Sequence, residues 1–149
     1  MSTRYLLDTS VVSSISPGRI DAADSLVDWL IVTLPRVHLS IVSLFEIEQG
    51  IRKLERLGSR ARAETMRQWL DRMLEQFHGD RLLPVDADVA LEAGRLSDWA
   101  IARGVHPGVA DIMIAATATT HDLVLLTYNL KDFGPLEIGA IDPTDGLPR

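Results

Sequence analysis

Apolar and polar positions alternate along this chain in blocks that predict strands and helices in turn. Residues 4–8, RYLLD, read as a first strand, after which Thr9 and Ser10 open a short helix through Val11, Val12 and Ile15 that ends at Ser16-Pro17-Gly18. A second helix is predicted over 21–34, with Leu26, Val27, Trp29 and Leu30 as its apolar stripe and Pro35 closing it. Residues 37–41 form a second strand. The stretch 43–58 then carries Leu44, Ile47, Ile51, Leu54 and Leu57 at helical spacing, with Gly58 as a stop. A further helix over 59–77, with Met66, Trp69, Leu70, Met73 and Leu74 apolar, completes a helical hairpin. LLPV at 82–85 is a third strand shortened by its proline, and 86–103 a helix with Val89, Leu91, Ala93, Leu96, Trp99 and Ala100 inside.

The stretch 108–133 organises the rest. From Val109 to Ala118 nearly every residue is apolar or small, so this helix is covered on most sides, with Asp111 the exception. LVLLT at 123–127 is a short continuous apolar run, the pattern of a strand buried on both faces of a parallel sheet. LEIGAID at 136–142 supplies a fifth, edge strand. Strands alternating with helices predict an α/β architecture: a central parallel sheet of four to five strands flanked by helices, in a single domain over 1–149. In such sheets ligands bind outside the carboxyl ends of the strands.

Composition narrows the chemistry. At 149 residues with 46% hydrophobic and 24% charged positions, the chain has the make-up of a globular protein with a substantial core. No apolar run is long enough to cross a bilayer and no signal peptide leads the chain, so a cytoplasmic protein without membrane contact is expected. The absence of cysteine removes disulfides, thiolate catalysis and cysteine zinc sites, leaving oxygen and nitrogen ligands for any metal. A net charge of -6 argues against a broad basic surface for nucleic acid. It leaves room for a local patch: arginines 60, 62, 67 and 72 with Arg52, Lys53 and Arg56 outweigh Glu55, Glu64 and Asp71. A solvated helix face is the default reading of that patch, with RNA or partner contact the alternative. Histidines 38, 78, 106 and 121 show no ligand spacing and are read as structural, His121 as the end of its helix.

Three carboxylates remain. Asp8, Glu46 and Asp111 each follow a strand or loop in or next to a helical first turn, on one edge of the expected sheet. Capping explains each singly: Asp8 as an N-cap, Ser43 and Glu46 as a capping box, Asp111 as a complement to the helix dipole. Glu48, two residues beyond Glu46, belongs to a different face. Capping explains poorly why the third acid stands in a nearly all-apolar helix beside a buried strand. Crowded, partly buried carboxylates raise one another's pKa unless a cation neutralises them, and a divalent metal does so.

In LLDTSVV around Asp8, FEIEQG around Glu46 and ADIMIAATATTHDLVLLTYNLKDF from Ala110 onward, the chain resembles the PIN-domain family, and within it the VapC-type toxins of bacterial toxin-antitoxin pairs. The match covers almost the whole chain. The resemblance implies a three-layer Rossmann-like fold and a magnesium-dependent endoribonuclease in which Asp8, Glu46 and Asp111 hold Mg²⁺ or Mn²⁺; because Mg²⁺ takes only one or two carboxylates directly and keeps several waters, Glu46 is expected to act through water. It also implies a VapB-type antitoxin as partner, a homodimer, and a small hydroxyl residue near the metal at Thr9. Relatives carry a fourth acid late in the site; here Asn129 occupies one candidate position and Asp132 lies three residues on. Asn in that place adds no negative charge, which favours one tightly bound ion. Apolar stripes on the 43–58 and 59–77 helices offer a groove for the antitoxin's helix, unless they merely pack together. A PIN-fold RNA-maturation nuclease and a noncatalytic binding module that kept the fold are the alternatives.

Overall fold

The computed structural model describes residues 2–19 and 24–149. The chain runs β1 (Tyr5–Leu7), α1 (Thr9–Ser14), α2 (Asp24–Thr33), β2 (Val37–Ser40), α3 (Ile41–Arg56), α4 (Arg60–Gln76), β3 (Leu82–Leu83), α5 (Ala87–Ala102), α6 (Val109–Thr120), β4 (Val124–Leu126), α7 (Leu130–Phe133) and β5 (Ala140–Ile141). The first three residues of the helix expected over 21–34 lie outside the described residues; its last turn tightens to a 3-10 turn at Leu34–Arg36, around Pro35.

Among the described residues the five strands are all parallel, in the order β3-β2-β1-β4-β5. Each is short, and β3 is held to Leu82–Leu83 by Pro84, which lacks the N–H to continue the ladder. Successive residues of a strand face opposite sides, and here they enter different cores. Tyr5, Leu7, Val37, Leu39 and Leu126 pack with α1, α2, α3 and α4 on one face. Leu6, Leu83 and Leu125 pack with α5, α6 and Phe133 on the other. The three layers expected from the sequence are thus present. Among the described residues no helix is long and apolar enough to cross a membrane.

Several apolar positions expected inside are outside. Leu91 is 76% exposed, Leu57 64% and Val27 41%, because each lies at the margin of its helix's stripe or beyond the last packed turn. The stripes of α3 and α4, Ile47 and Ile51 with Trp69, Leu70 and Met73, are buried in the first core. They pack together rather than forming a groove. Within the basic patch, Arg67 pairs with Glu48 and Glu55, and Arg52 with the same two acids. Glu48 indeed faces away from Glu46, across the hairpin.

Strand order reverses at β1, since the chain proceeds to β2 and β3 on one side and to β4 and β5 on the other. The carboxyl ends of β1 and β4 therefore frame the crevice that α/β sheets use for ligands. Downstream of it, Phe133 on α7 is completely buried in the second core. Phe133→Ala is expected to destabilise the protein by about 3–5 kcal/mol, read as a lower urea midpoint at unchanged slope.

Candidate metal and nuclease site

The sequence LLD ends β1 by carrying its apolar alternation one residue too far, so that Asp8 is drawn inside. It is only 3% exposed, and its N–H still joins the ladder by donating to the Leu126 carbonyl at 2.9 Å. Asp8 holds the N-cap position of α1, yet its side chain caps nothing. Its Oδ2 instead accepts from Ser10 Oγ at 2.7 Å and from Thr127 Oγ1 at 2.8 Å. Thr127 is fixed in turn by the Asn129 N–H at 2.9 Å, and Ser10 by the Tyr128 N–H at 3.2 Å. A fully buried threonine after β4 and a serine after β1 thus orient one carboxylate oxygen, while Oδ1 receives no hydrogen bond among the described residues.

Glu46 is placed differently from expectation. α3 begins at Ile41 with Ser40 as its N-cap, whose side chain accepts from the Val42 N–H at 3.0 Å. Ser43 and Glu46 therefore lie past the cap and form no capping box. A helix start two residues earlier explains this, since Ser40 closes β2 and caps at once. Glu46 Oε1 accepts from Thr9 Oγ1 at 2.7 Å, and Thr9 Oγ1 lies 2.8 Å from Ser43 Oγ. Because the Thr9 hydroxyl has a single proton and spends it on Glu46, buried Ser43 is the donor to Thr9. Thr9 links α1 to α3 instead of capping.

Asp111 stands in the first turn of α6, after a Gly108 N-cap that supplies no side-chain bond. Its pKa is pushed up from 3.8 to about 6, first by burial and then by the charges of Asp8, Asp132 and Glu46. The three acids read from the sequence therefore share one electrostatic field, and Asp132 is the fourth. Asp132 lines with Asp111 a cavity of about 210 Å³ that also includes Val105, His106, Pro107, Gly108 and Lys131. Asn129 is exposed and absent from that lining; its backbone, not its side chain, serves the site through Thr127. His106 lies at the cavity, whereas His38 is buried in β2 with Nδ1 3.2 Å from the Tyr5 carbonyl oxygen and its pKa lowered, chiefly by burial.

An all-oxygen donor set suits Mg²⁺ or Mn²⁺. Among the described residues no three acidic or histidine side chains converge into a ready-made cage. That is compatible with Mg²⁺, which takes one or two carboxylates directly and keeps several waters. The uncompensated field at Asp111 is the feature a cation would relieve.

Residues 5–133 match the PIN domain. The chain belongs to the PIN-domain family. Toxin FitB of Neisseria gonorrhoeae is 29% identical over 139 residues, spanning 93% of this chain and 96% of FitB. Ribonuclease VapC of Rickettsia bellii is 26% identical over 128 residues, 86% of this chain and 87% of that relative. The crystal structure of FitAcB from Neisseria gonorrhoeae superposes with a TM-score of 0.81 at 30% identity, over 94% of this chain and 98% of that one. The family resemblance carried by the three motifs is thereby borne out.

Sequence reasoning treated Ser10 and Ser43 only as capping residues and passed over Thr127. A readable signal existed: LLDTS and LLT place hydroxyls directly after two strands that the topology makes neighbours.

The raised pKa fixes a sign. Asp111 favours the folded state fully below its ordinary value of 3.8, where it is protonated folded or unfolded, and that contribution is lost as pH rises through about 6. Metal-free Asp111→Asn is therefore expected to be more stable than the parent at pH 7, with the difference closing toward pH 4 in denaturation curves taken across this range.

Proposed function

We propose that this PIN-domain protein is a metal-dependent endoribonuclease acting as the toxin of a VapBC-type toxin-antitoxin pair. The observation that carries the reading is Asp111, whose pKa is raised to about 6 by burial and by the charges of Asp8, Asp132 and Glu46 near the sheet's switch point. Its relatives' names, toxin for FitB and ribonuclease for VapC, support it. Asp8 and Asp111 would hold Mg²⁺ or Mn²⁺ directly, and Glu46 through water. Held there, such an ion would supply Lewis acidity for activating water and charge neutralisation at the scissile phosphodiester.

The chain's own groups do the positioning. Ser10 and Thr127 fix the orientation of the Asp8 carboxylate, leaving one oxygen free to face a ligand. Thr9, backed by Ser43, holds Glu46 toward the same cluster. Asp132 shares the cavity with Asp111 and takes the fourth acidic place better than Asn129.

The antitoxin's helix finds a better seat than the α3 and α4 stripes. An apolar cavity of about 410 Å³ opens between α2 and α4, lined by Leu30, Ile31, Leu34, Trp69, Met73 and Phe77, with Arg72 and Gln76 among its lining residues. An amphipathic helix fits such a groove. The homodimer implied by the family has a surface of its own in Ile41, Phe45 and Val109, exposed at 38%, 64% and 74% around a second apolar cavity.

Asp8→Asn and Asp111→Asn are each expected to abolish magnesium-dependent RNA cleavage while the circular dichroism spectrum stays unchanged. Glu46→Gln should cost more in rate than in calorimetric metal affinity. Near-normal cleavage by either Asn variant at matched magnesium would overturn the assignment of that acid to the metal site.

Ile31 is 70% exposed, so Ile31→Glu leaves the fold intact but places a charge in the groove. Co-expressed with the product of the neighbouring small gene, Ile31→Glu is expected to lose copurification and inhibition at least about tenfold. A parent protein that this product neither binds nor inhibits would remove the toxin role and leave the nuclease standing.

A further inference from the structure

Lys131 lines the cavity that contains Asp111 and Asp132, and it directly precedes Asp132 in the chain. With two carboxylates in that lining, an ion pair is the expected fate of its ammonium group. Among the described residues it forms none, and no hydrogen bond either. Lys53, Arg56, Arg60 and Arg72 likewise form no ion pair among the described residues, so what sets Lys131 apart is its place at the cavity with Asp111 and Asp132. Lys131 is one of only two lysines in the chain. It is exposed, but its position is set by the next turn of chain, where Phe133 is completely buried.

A polyanionic substrate meets an unfavourable field here. The protein carries a net charge of -6, and four carboxylates gather where RNA must approach. A divalent ion offsets charge at the scissile phosphate, but the neighbouring phosphates of the same strand carry their own. A cation held at the cavity without a protein partner is suited to one of them, and an ammonium group, a compact point charge with three donors, binds phosphate without demanding one orientation.

Resting on the nuclease reading above, we propose that Lys131 binds a backbone phosphate of the RNA adjoining the scissile bond and so positions the strand in the acidic site. Lys131 is a positioning residue that neither holds the metal nor transfers a proton. Its contact is with the backbone, so its contribution is independent of base sequence.

The test compares the full-length parent with Lys131→Gln and Lys131→Arg, using end-labelled pooled bacterial RNA at matched magnesium over a range of salt concentrations. Lys131→Gln is expected to raise KM about tenfold with kcat within about twofold, and to lower the slope of log kcat/KM against log salt by about one. Lys131→Arg, which keeps the charge, should restore most of the KM. An unchanged KM and salt slope in Lys131→Gln, with parent activity intact, overturns the assignment and leaves the nuclease reading untouched. A lower magnesium requirement with unchanged KM would instead make Lys131 an internal counter-ion of the acids, and also overturns it. If the parent itself cleaves no RNA beyond the Asp8→Asn background, the nuclease reading falls and this inference with it.

Discussion

The hydrogen bond from Thr127 to Asp8 joins the two strands between which the sheet changes direction, and the rest of the site is arranged about it. A carboxylate at 3% exposure is costly to leave without partners. Two hydroxyls meet that cost on one oxygen, and the bond does so without neutralising the charge. A lysine or arginine in their place would have stabilised the buried acid more strongly and ended its usefulness to a cation. The neutral partners keep Asp8 oriented and leave its field to act on Asp111.

The same economy of charge runs through the molecule. On the α3–α4 hairpin, Arg52 and Arg67 are matched by Glu48 and Glu55, away from the acids of the candidate site. Glu46 and Glu48 are two residues apart on one helix and take opposite parts: one is held by a hydroxyl at the site, the other by guanidinium groups across the hairpin. At one end of the sheet, burial and then the charges of Asp8, Asp132 and Glu46 raise the pKa of Asp111. Among the described residues, Lys131 and His106 are the basic groups lining the cavity beside Asp111.

Much of this was legible in the sequence, for identifiable reasons. The two-residue period in YLL and VLL sends alternate side chains to opposite cores, and the all-apolar run after Asp111 matches a helix covered on most sides. The acids stood out because each interrupts an apolar pattern. What misled was the helix start at Ile41: Ser43, three residues before a glutamate, imitates a capping box, while the true cap, Ser40, was hidden as the last residue of a strand. Hydroxyl networks were illegible for a different reason. Serine and threonine fit turns, caps and cores alike, and only the pairing of β1 with β4 brings Thr127 to Asp8. The groove was misplaced because apolar periodicity marks which faces are buried, not against what; α4 turned out to serve both the core and the open cavity beside α2.

That closing hydrogen bond spans 119 positions of sequence. Every residue lining the groove between α2 and α4 lies at or before Phe77, whereas Asp111, Thr127 and Asp132 all come later. A ribosome builds the chain from its N-terminus, so the inhibitory surface proposed here is synthesised well before the acids that complete the cleaving site. In a growing chain the residues of that groove are therefore made before the last acids of the candidate site, so the order of the strands sets the order in which the two surfaces can form.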